Sequence, residues 1–250
     1  MHDAVAITLA QPGFWWLVLT ISAAGLVRGF TGFGTALIFV PVASMFLPAA
    51  DVIAIVTITG FVSTSTLLPR AWKQVDLREV TTLVVPALIT IPLGLLVMDR
   101  LDATVVRWIM TFVAGGTLLA LISGWRYSGR VTGAGLLMIG AAAGLIGGIT
   151  GMTGPMVILF YLAGRAAAQS VRANVILFVA ALDVVIMVNL VLRGFAEWPI
   201  VWLAIAICIP YFVTTLIGQA LFDPKAERLY RIAAFSVIGL AVISGLPLWD

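Results

Sequence analysis

Two glycine-rich stretches carry residue types that bind anions, and both interrupt apolar sequence. The first is Arg28-Gly29-Phe30-Thr31-Gly32-Phe33-Gly34-Thr35. The second is Gly144-Leu145-Ile146-Gly147-Gly148-Ile149-Thr150-Gly151-Met152-Thr153-Gly154-Pro155. Glycine permits positive φ and lets a ligand approach backbone N–H groups closely. A helix that starts after such a break presents uncapped N–H groups and the positive end of its dipole, and helix N-termini of this kind bind anions. Half-helices are expected to begin near Thr35 and Pro155; proline suits the first helical position, where its missing N–H would have had no partner. Thr31, Thr35, Thr150 and Thr153 add hydroxyls, and the Arg28 guanidinium adds a fixed charge in a fork that fits an oxyanion. The candidate anion-binding set is therefore Arg28, Gly29, Thr31, Gly32, Gly34 and Thr35, with Gly148, Thr150, Gly151, Thr153 and Gly154.

Each of these residues has a plainer reading. Gly25/Gly29 and Gly140/Gly144/Gly148 have the small-xxx-small spacing that lets membrane helices pack closely. Arg28 could snorkel to an interface instead of facing a ligand. Asp183, with Asn174 and Asn189, lies in the apolar run 173–192. A carboxylate there is costly and is a candidate proton carrier in coupled transport; the alternative is a structural partner for Arg107 or Arg28. Ser63-Thr64-Ser65-Thr66 could line a pathway, but such hydroxyls usually bond back to their own helix. Asp99 and Asp223 read as helix-end residues. Trp15, Trp16, Trp198, Trp202 and Trp249 stand near segment ends, as interfacial belt residues do. Cys208 reads as a small core residue. With His2 the single histidine and Cys208 the single cysteine, a His/Cys metal site is excluded, as is a catalytic Cys–His pair.

The elements that must position these residues are membrane helices. The 250-residue chain is 62% hydrophobic and only 10% charged, against about 25% charged in average soluble chains. Its mean hydropathy is +1.16. Apolar segments fall at about 14–27, 35–48, 51–69, 80–98, 104–123, 131–149, 154–163, 173–192, 198–222 and 229–247. They do not alternate as barrel strands would. The fold class is all-α, a polytopic integral membrane protein with no separate soluble domain. Nothing at Met1-His2-Asp3-Ala4-Val5 has the basic character of a signal peptide.

Lysine and arginine in short loops set orientation. Arg70, Lys73 and Arg78 share one connector; Arg126 and Arg130, Arg165 and Arg172, and Lys225, Arg228 and Arg231 occupy three more. Placing these four loops in the cytoplasm leaves only Arg100 and Arg193 in outside loops and puts both termini outside. Gly25–Gly32 aligns with Gly144–Gly151, while Pro86, Gly94, Asp99 and Arg107 align with Pro210, Gly218, Asp223 and Arg231 at one constant offset. Two five-segment halves, about 1–125 and 126–250, imply the inverted-repeat plan of secondary transporters. Segments 14–27 and 35–48 are near fourteen residues each, roughly 21 Å of helix, short of a hydrocarbon core of about 30 Å. They suit a re-entrant hairpin or a pair of short spans. In the hairpin version, the two glycine tips would meet near the midplane.

These residues resemble the TauE/SafE family of sulfite and organosulfonate transporters. The likeness is carried by the paired glycine-rich segments that open each half, and by the connector Trp72-Lys73-Gln74-Val75-Asp76-Leu77-Arg78. The resemblance implies a small inner-membrane protein of seven to eight transmembrane helices that moves sulfur-containing oxyanions. That count matches ten segments if four pair into two broken or re-entrant elements. The family's first repeat often has a denser glycine run. Here Phe30, Thr31 and Phe33 interrupt it, which would favour a larger or partly apolar anion over bare sulfite.

The expected function is secondary transport of small anions, most simply sulfur oxyanions, by alternating access. An anion channel with the same site is the rival in mechanism, and a non-transport membrane assembly factor the rival in class. No nucleophile–base pair or cofactor motif appears, so neither an enzyme nor a cofactor is expected. The glycine breaks also lack the Gly-Lys-Ser/Thr of a nucleotide loop. The partners implied are a small anionic substrate and the lipid bilayer, not nucleic acid; a homodimer stays open.

Overall fold

A computed structural model describes residues 13–31, 33–65, 68–124, 133–163, 168–195, 198–221 and 227–248. Among the expectations above, those on His2, Gly32, Thr66, Arg126, Arg130, Arg165, Asp223, Lys225 and Trp249 lie outside them, as do the side chains of Arg70 and Arg172. The described residues are all-helical. In chain order the helices are α1 (Phe14–Thr31), α2 (Thr35–Ala43), α3 (Ala49–Ser65), the single turn α4 (Leu68–Ala71), α5 (Leu77–Arg100), α6 (Ala103–Ile122), α7 (Gly133–Thr150), α8 (Gly154–Ala163), α9 (Ala168–Leu192), α10 (Trp198–Leu221) and α11 (Glu227–Ser244). Within α1, α5, α6, α7, α9 and α10 there is a stretch long and apolar enough to cross a membrane. The protein is a polytopic membrane protein.

Local sequence accounts for several boundaries. Asp76 caps α5, its carboxylate accepting from the backbone N–H groups of Arg78 at 3.0 Å and Glu79 at 3.1 Å; Asp102 caps α6 through Thr104 N–H at 2.8 Å. Such caps satisfy donors that the first helical turn cannot. Pro86 in α5 and Pro210 in α10 each remove a helical donor. In both helices a threonine one turn later, Thr90 or Thr214, bonds the proline carbonyl, at 3.2 and 2.8 Å.

The short helix α2 folds back along α1. Gly13, just before α1, lies so close to the Phe46 ring, just after α2, that an added Cβ would come within 2.5 Å of its Cγ. The two helices form a hairpin whose ends, at Gly13 and Phe46, lie side by side. This corrects the two matched fourteen-residue segments in the expectation. The first helix continues through Arg28 and Gly29 to Thr31, because Gly25 and Gly29 pack in a helix crossing instead of unwinding. The second helix spans only nine residues, and residues 44–47 turn.

The most extensive packing joins α5 to α7 and α10 to α1, both parallel pairs. Along the first, Leu83, Ala87 and Ile91/Gly94 meet Gly140, Gly144 and Gly148; along the second, Tyr211 and Thr215/Gly218 meet Gly25 and Gly29. Part of the remaining packing shows the same correspondence, with α9 on α5 matched by α3 on α10, and α11 on α2 matched by α8 on α6. At the centre, α3 crosses α9. Val52, Ile53, Ala54, Ile55 and Val56 are all buried, so α3 is enclosed on every side, as a helix that is apolar all round should be. The outer faces, with Ile89 and Leu93 of α5 and Leu192 of α9 exposed, match a hydrocarbon solvent.

Candidate functional site

The two breaks share a construction. At the first, Gly34 has φ +102° and offers no side-chain cap to α2. Thr31 turns its hydroxyl inward across the break, within donating distance of either Val27 O at 2.7 Å or Phe33 O at 2.8 Å. At the second, Gly151 has φ +73°. Thr150 donates to Ile146 O at 2.7 Å and accepts from Met152 N–H at 3.2 Å. Positive φ is why glycine stands at both positions. After each break a short helix starts inside the bundle, with Thr35 and Thr153 both buried.

The candidate residues therefore divide into two groups. Gly29 and Gly148 sit in helix crossings; a Cβ on Gly29 would lie 2.7 Å from Gly218 Cα, and one on Gly148 would lie 3.0 Å from Gly94 Cα. Thr31 and Thr150 spend their hydroxyls closing the breaks. Gly34, Thr35, Gly151, Thr153 and Gly154 line the breaks themselves. Arg28 lies in the last helical turn of α1, half-buried, and not within the unwound segment. Phe30 packs on the Tyr230 ring of α11, with centroids 5.1 Å apart, which leaves Phe33 as the aromatic residue at the break.

Two residues join this set that the sequence reading did not single out. Tyr211, fully buried on α10, shares a hydrogen bond of 3.0 Å with the Thr35 hydroxyl. The signal was a phenol in an apolar run, which needs a polar partner when buried. Gly60 of α3 faces Asp183 of α9, where an added Cβ would sit 2.7 Å from Oδ2. Asp183 is buried at this crossing. One turn along α3 from Gly60, Thr64 keeps a buried hydroxyl oxygen without a hydrogen-bond partner. Its neighbours Ser63 and Ser65 bond back to Gly60 O and Val62 O.

The two asparagines are engaged elsewhere. Asn174 accepts from Asp76 N–H at 2.8 Å, tying α9 to the start of α5, and Asn189 donates to Val185 O at 2.8 Å within its own helix. Among the described residues, no three His, Cys, Asp or Glu side chains are grouped to hold a metal ion. Chemically, the breaks and the α3–α9 crossing offer hydroxyls, helix N-termini, a guanidinium and a carboxylate in apolar surroundings.

The sequence profile described as "Sulfite exporter TauE/SafE" matches residues 17–245, nearly the whole chain. The chain belongs to the TauE/SafE family. A TauE/SafE relative from Cupriavidus necator, described as "Probable sulfite/organosulfonate exporter TauE", is 25% identical over 230 residues, covering 87% of this chain and 88% of its own. No solved structure matches the chain at a significant level. TauE/SafE membership makes this a membrane transport protein. Both breaks, Arg28, Asp183 and Tyr211 lie within the matched span.

Proposed function

We propose that the protein is a secondary active transporter that exports small sulfur oxyanions, sulfite or organosulfonates, by alternating access around the two helix breaks. The matched pair of breaks carries this reading. Each has a glycine at positive φ, a threonine that closes the turn, and a short helix whose N-terminal N–H groups open inside the bundle. Fixed N–H donors and hydroxyls suit a tetrahedral or pyramidal oxyanion, because they satisfy several oxygens without adding mobile charge. Thr35, Thr153 and the backbone around Gly34, Gly151 and Gly154 hold the anion. Arg28 balances its charge, and Asp183 carries the coupling proton. A lone carboxylate enclosed at the α3–α9 crossing is costly unless it has such a task.

The halves 1–125 and 126–250 act as inverted repeats, a reading supported by the paired helix contacts. Inverted repeats allow one site to open alternately to either side by rocking one half against the other. The four basic loops face the cytoplasm and both termini face outward, across the inner (plasma) membrane.

Purified protein in liposomes provides the test. Sulfite is expected to accumulate against its gradient when a proton gradient is applied. Arg28→Ala and Thr35→Val should abolish flux while inserting normally. Flux that never exceeds equilibrium makes the protein a channel, and unchanged flux in both variants removes the site assignment.

A further inference from the structure

A second basic site lies apart from the breaks. Arg228 and Arg231, with Ile232 and Phe235, line a cavity of about 500 Å³ at the start of α11. Both cations stand in the opening turns of a helix, where the dipole is already positive, so together they form a local positive field that attracts an anion. The other wall is apolar. Ile232 is 54% exposed and its neighbour Leu229 is 64% exposed, part of a surface that continues along α11 through Leu240 and Ile243. Arg231 lies over the Phe235 ring, 5.8 Å from its centroid, which holds the guanidinium between ring and cavity.

We propose that this cavity binds the phosphate headgroup of an anionic phospholipid. The two guanidiniums grip phosphate oxygens in the manner of arginine–phosphate pairs, and an acyl chain runs down Ile232 along α11. Basic pockets at membrane-helix ends bind such headgroups. A free sulfite or phosphate ion would gain nothing from the exposed apolar wall, whereas a lipid covers both walls at once. The location matters to the transporter. Tyr230, between the two arginines in sequence, stacks on Phe30 in the last turn of α1, so the headgroup lies one ring contact from the first break.

The test uses the purified full-length chain in neutral detergent, titrated with phosphatidylglycerol, phosphatidylcholine, inorganic phosphate or sulfite. The readouts are melting temperature and lipid adducts in native mass spectrometry. Phosphatidylglycerol should raise the melting temperature and leave bound adducts, and phosphatidylcholine should not. R228Q/R231Q should bind phosphatidylglycerol about 30-fold more weakly, from about 1 kcal/mol per arginine near an anionic surface. R228K/R231K should keep most of the response. Equal responses to the two lipids overturn the proposal, as does a wild-type response in R228Q/R231Q. Displacement of bound phosphatidylglycerol by inorganic phosphate or sulfite at equal concentration also overturns it, in favour of a free-oxyanion site.

Discussion

Replacing Gly29 by alanine separates the packing role of the first glycine stretch from a binding role. A Cβ there would lie 2.7 Å from Gly218 Cα and 2.8 Å from Gln219 N, with the Thr215 carbonyl oxygen closer still, whereas ordinary contact begins near 3.4 Å. All three neighbours are backbone, so no rotamer change relieves the clash, and α1 must move from α10 by more than half an ångström. Overpacking of this kind costs about 1–3 kcal/mol, and alanine returns about 1 kcal/mol over glycine in helix propensity. The net loss of up to about 2 kcal/mol lowers the melting temperature by up to about 8 °C for a chain of this size. Gly148→Ala should behave alike, because its Cβ meets Ile91 O at 2.5 Å and Gly94 Cα at 3.0 Å. Gly116→Ala is the control, since nothing lies within 4 Å of that position; its melting temperature should hold or rise. Thermal unfolding in detergent, read beside sulfite flux, decides the matter. A Gly29→Ala protein that melts like wild type but carries no sulfite would refute the packing assignment and return Gly29 to the ligand.

Three further outcomes are expected. Thr35→Val and Tyr211→Phe each strip one partner from a buried bond, at about 1–3 kcal/mol. The double variant should lose less than the sum, a coupling of about 0.5–3 kcal/mol measurable in a double-mutant cycle. Asn174→Ala leaves Asp76 N–H without its partner, so backbone exchange at the start of α5 should quicken while sulfite flux persists. Asp183→Asn removes a buried titratable group while nearly keeping shape; it should melt no lower than wild type, yet its sulfite transport should lose all dependence on the proton gradient.

Fold class, helix order and most boundaries were legible because a bilayer imposes a length on every apolar run. The breaks were legible because glycine and threonine cluster where hydrocarbon-seeking sequence should be uniform. The misplaced boundary came from one ambiguity. A glycine that ends a helix and a glycine that lets a second helix approach look the same in one dimension, so Arg28 and Gly29 read as unwound although they are helical. The partners of Gly29, Gly218 and Thr215, are nearly 200 positions away, beyond any local pattern. The hydroxyls of Thr31 and Thr150 were likewise read as free, because the turn that uses them exists only after the chain folds back. The Asp183–Gly60 and Thr35–Tyr211 contacts join distant segments, and no spacing rule could have paired them.

The two halves match in packing but not in chemistry, and the difference follows a pattern. Gly25 and Gly144 stand 119 positions apart, and the same step carries Arg28 to Gly147 and Thr35 to Gly154. Pro86 and Pro210 stand 124 apart, and that step pairs Ala87 with Tyr211. At Arg28, Thr35 and Tyr211 one half supplies a polar group where its counterpart is glycine or alanine, whereas Thr31 and Thr90 are matched by Thr150 and Thr214. The α3–α9 crossing follows the same logic, with Gly60 leaving room for the Asp183 carboxylate. A second carboxylate there would face the first in low dielectric, and a second arginine would do likewise, so one polar group per pair is the arrangement electrostatics favours. The consequence is mechanical. The first hairpin is tied to α10 by the Thr35–Tyr211 bond, while the corresponding Gly154 and Ala87 have no side-chain hydroxyls to join. A net 0.5–1.5 kcal/mol is typical of one such bond, enough to bias which hairpin yields. In the alternating-access cycle proposed above, the hairpin of α7 and α8 is therefore the one that moves more readily, and the α1–α2 hairpin, with Arg28 and Thr35, is the fixed side of the site.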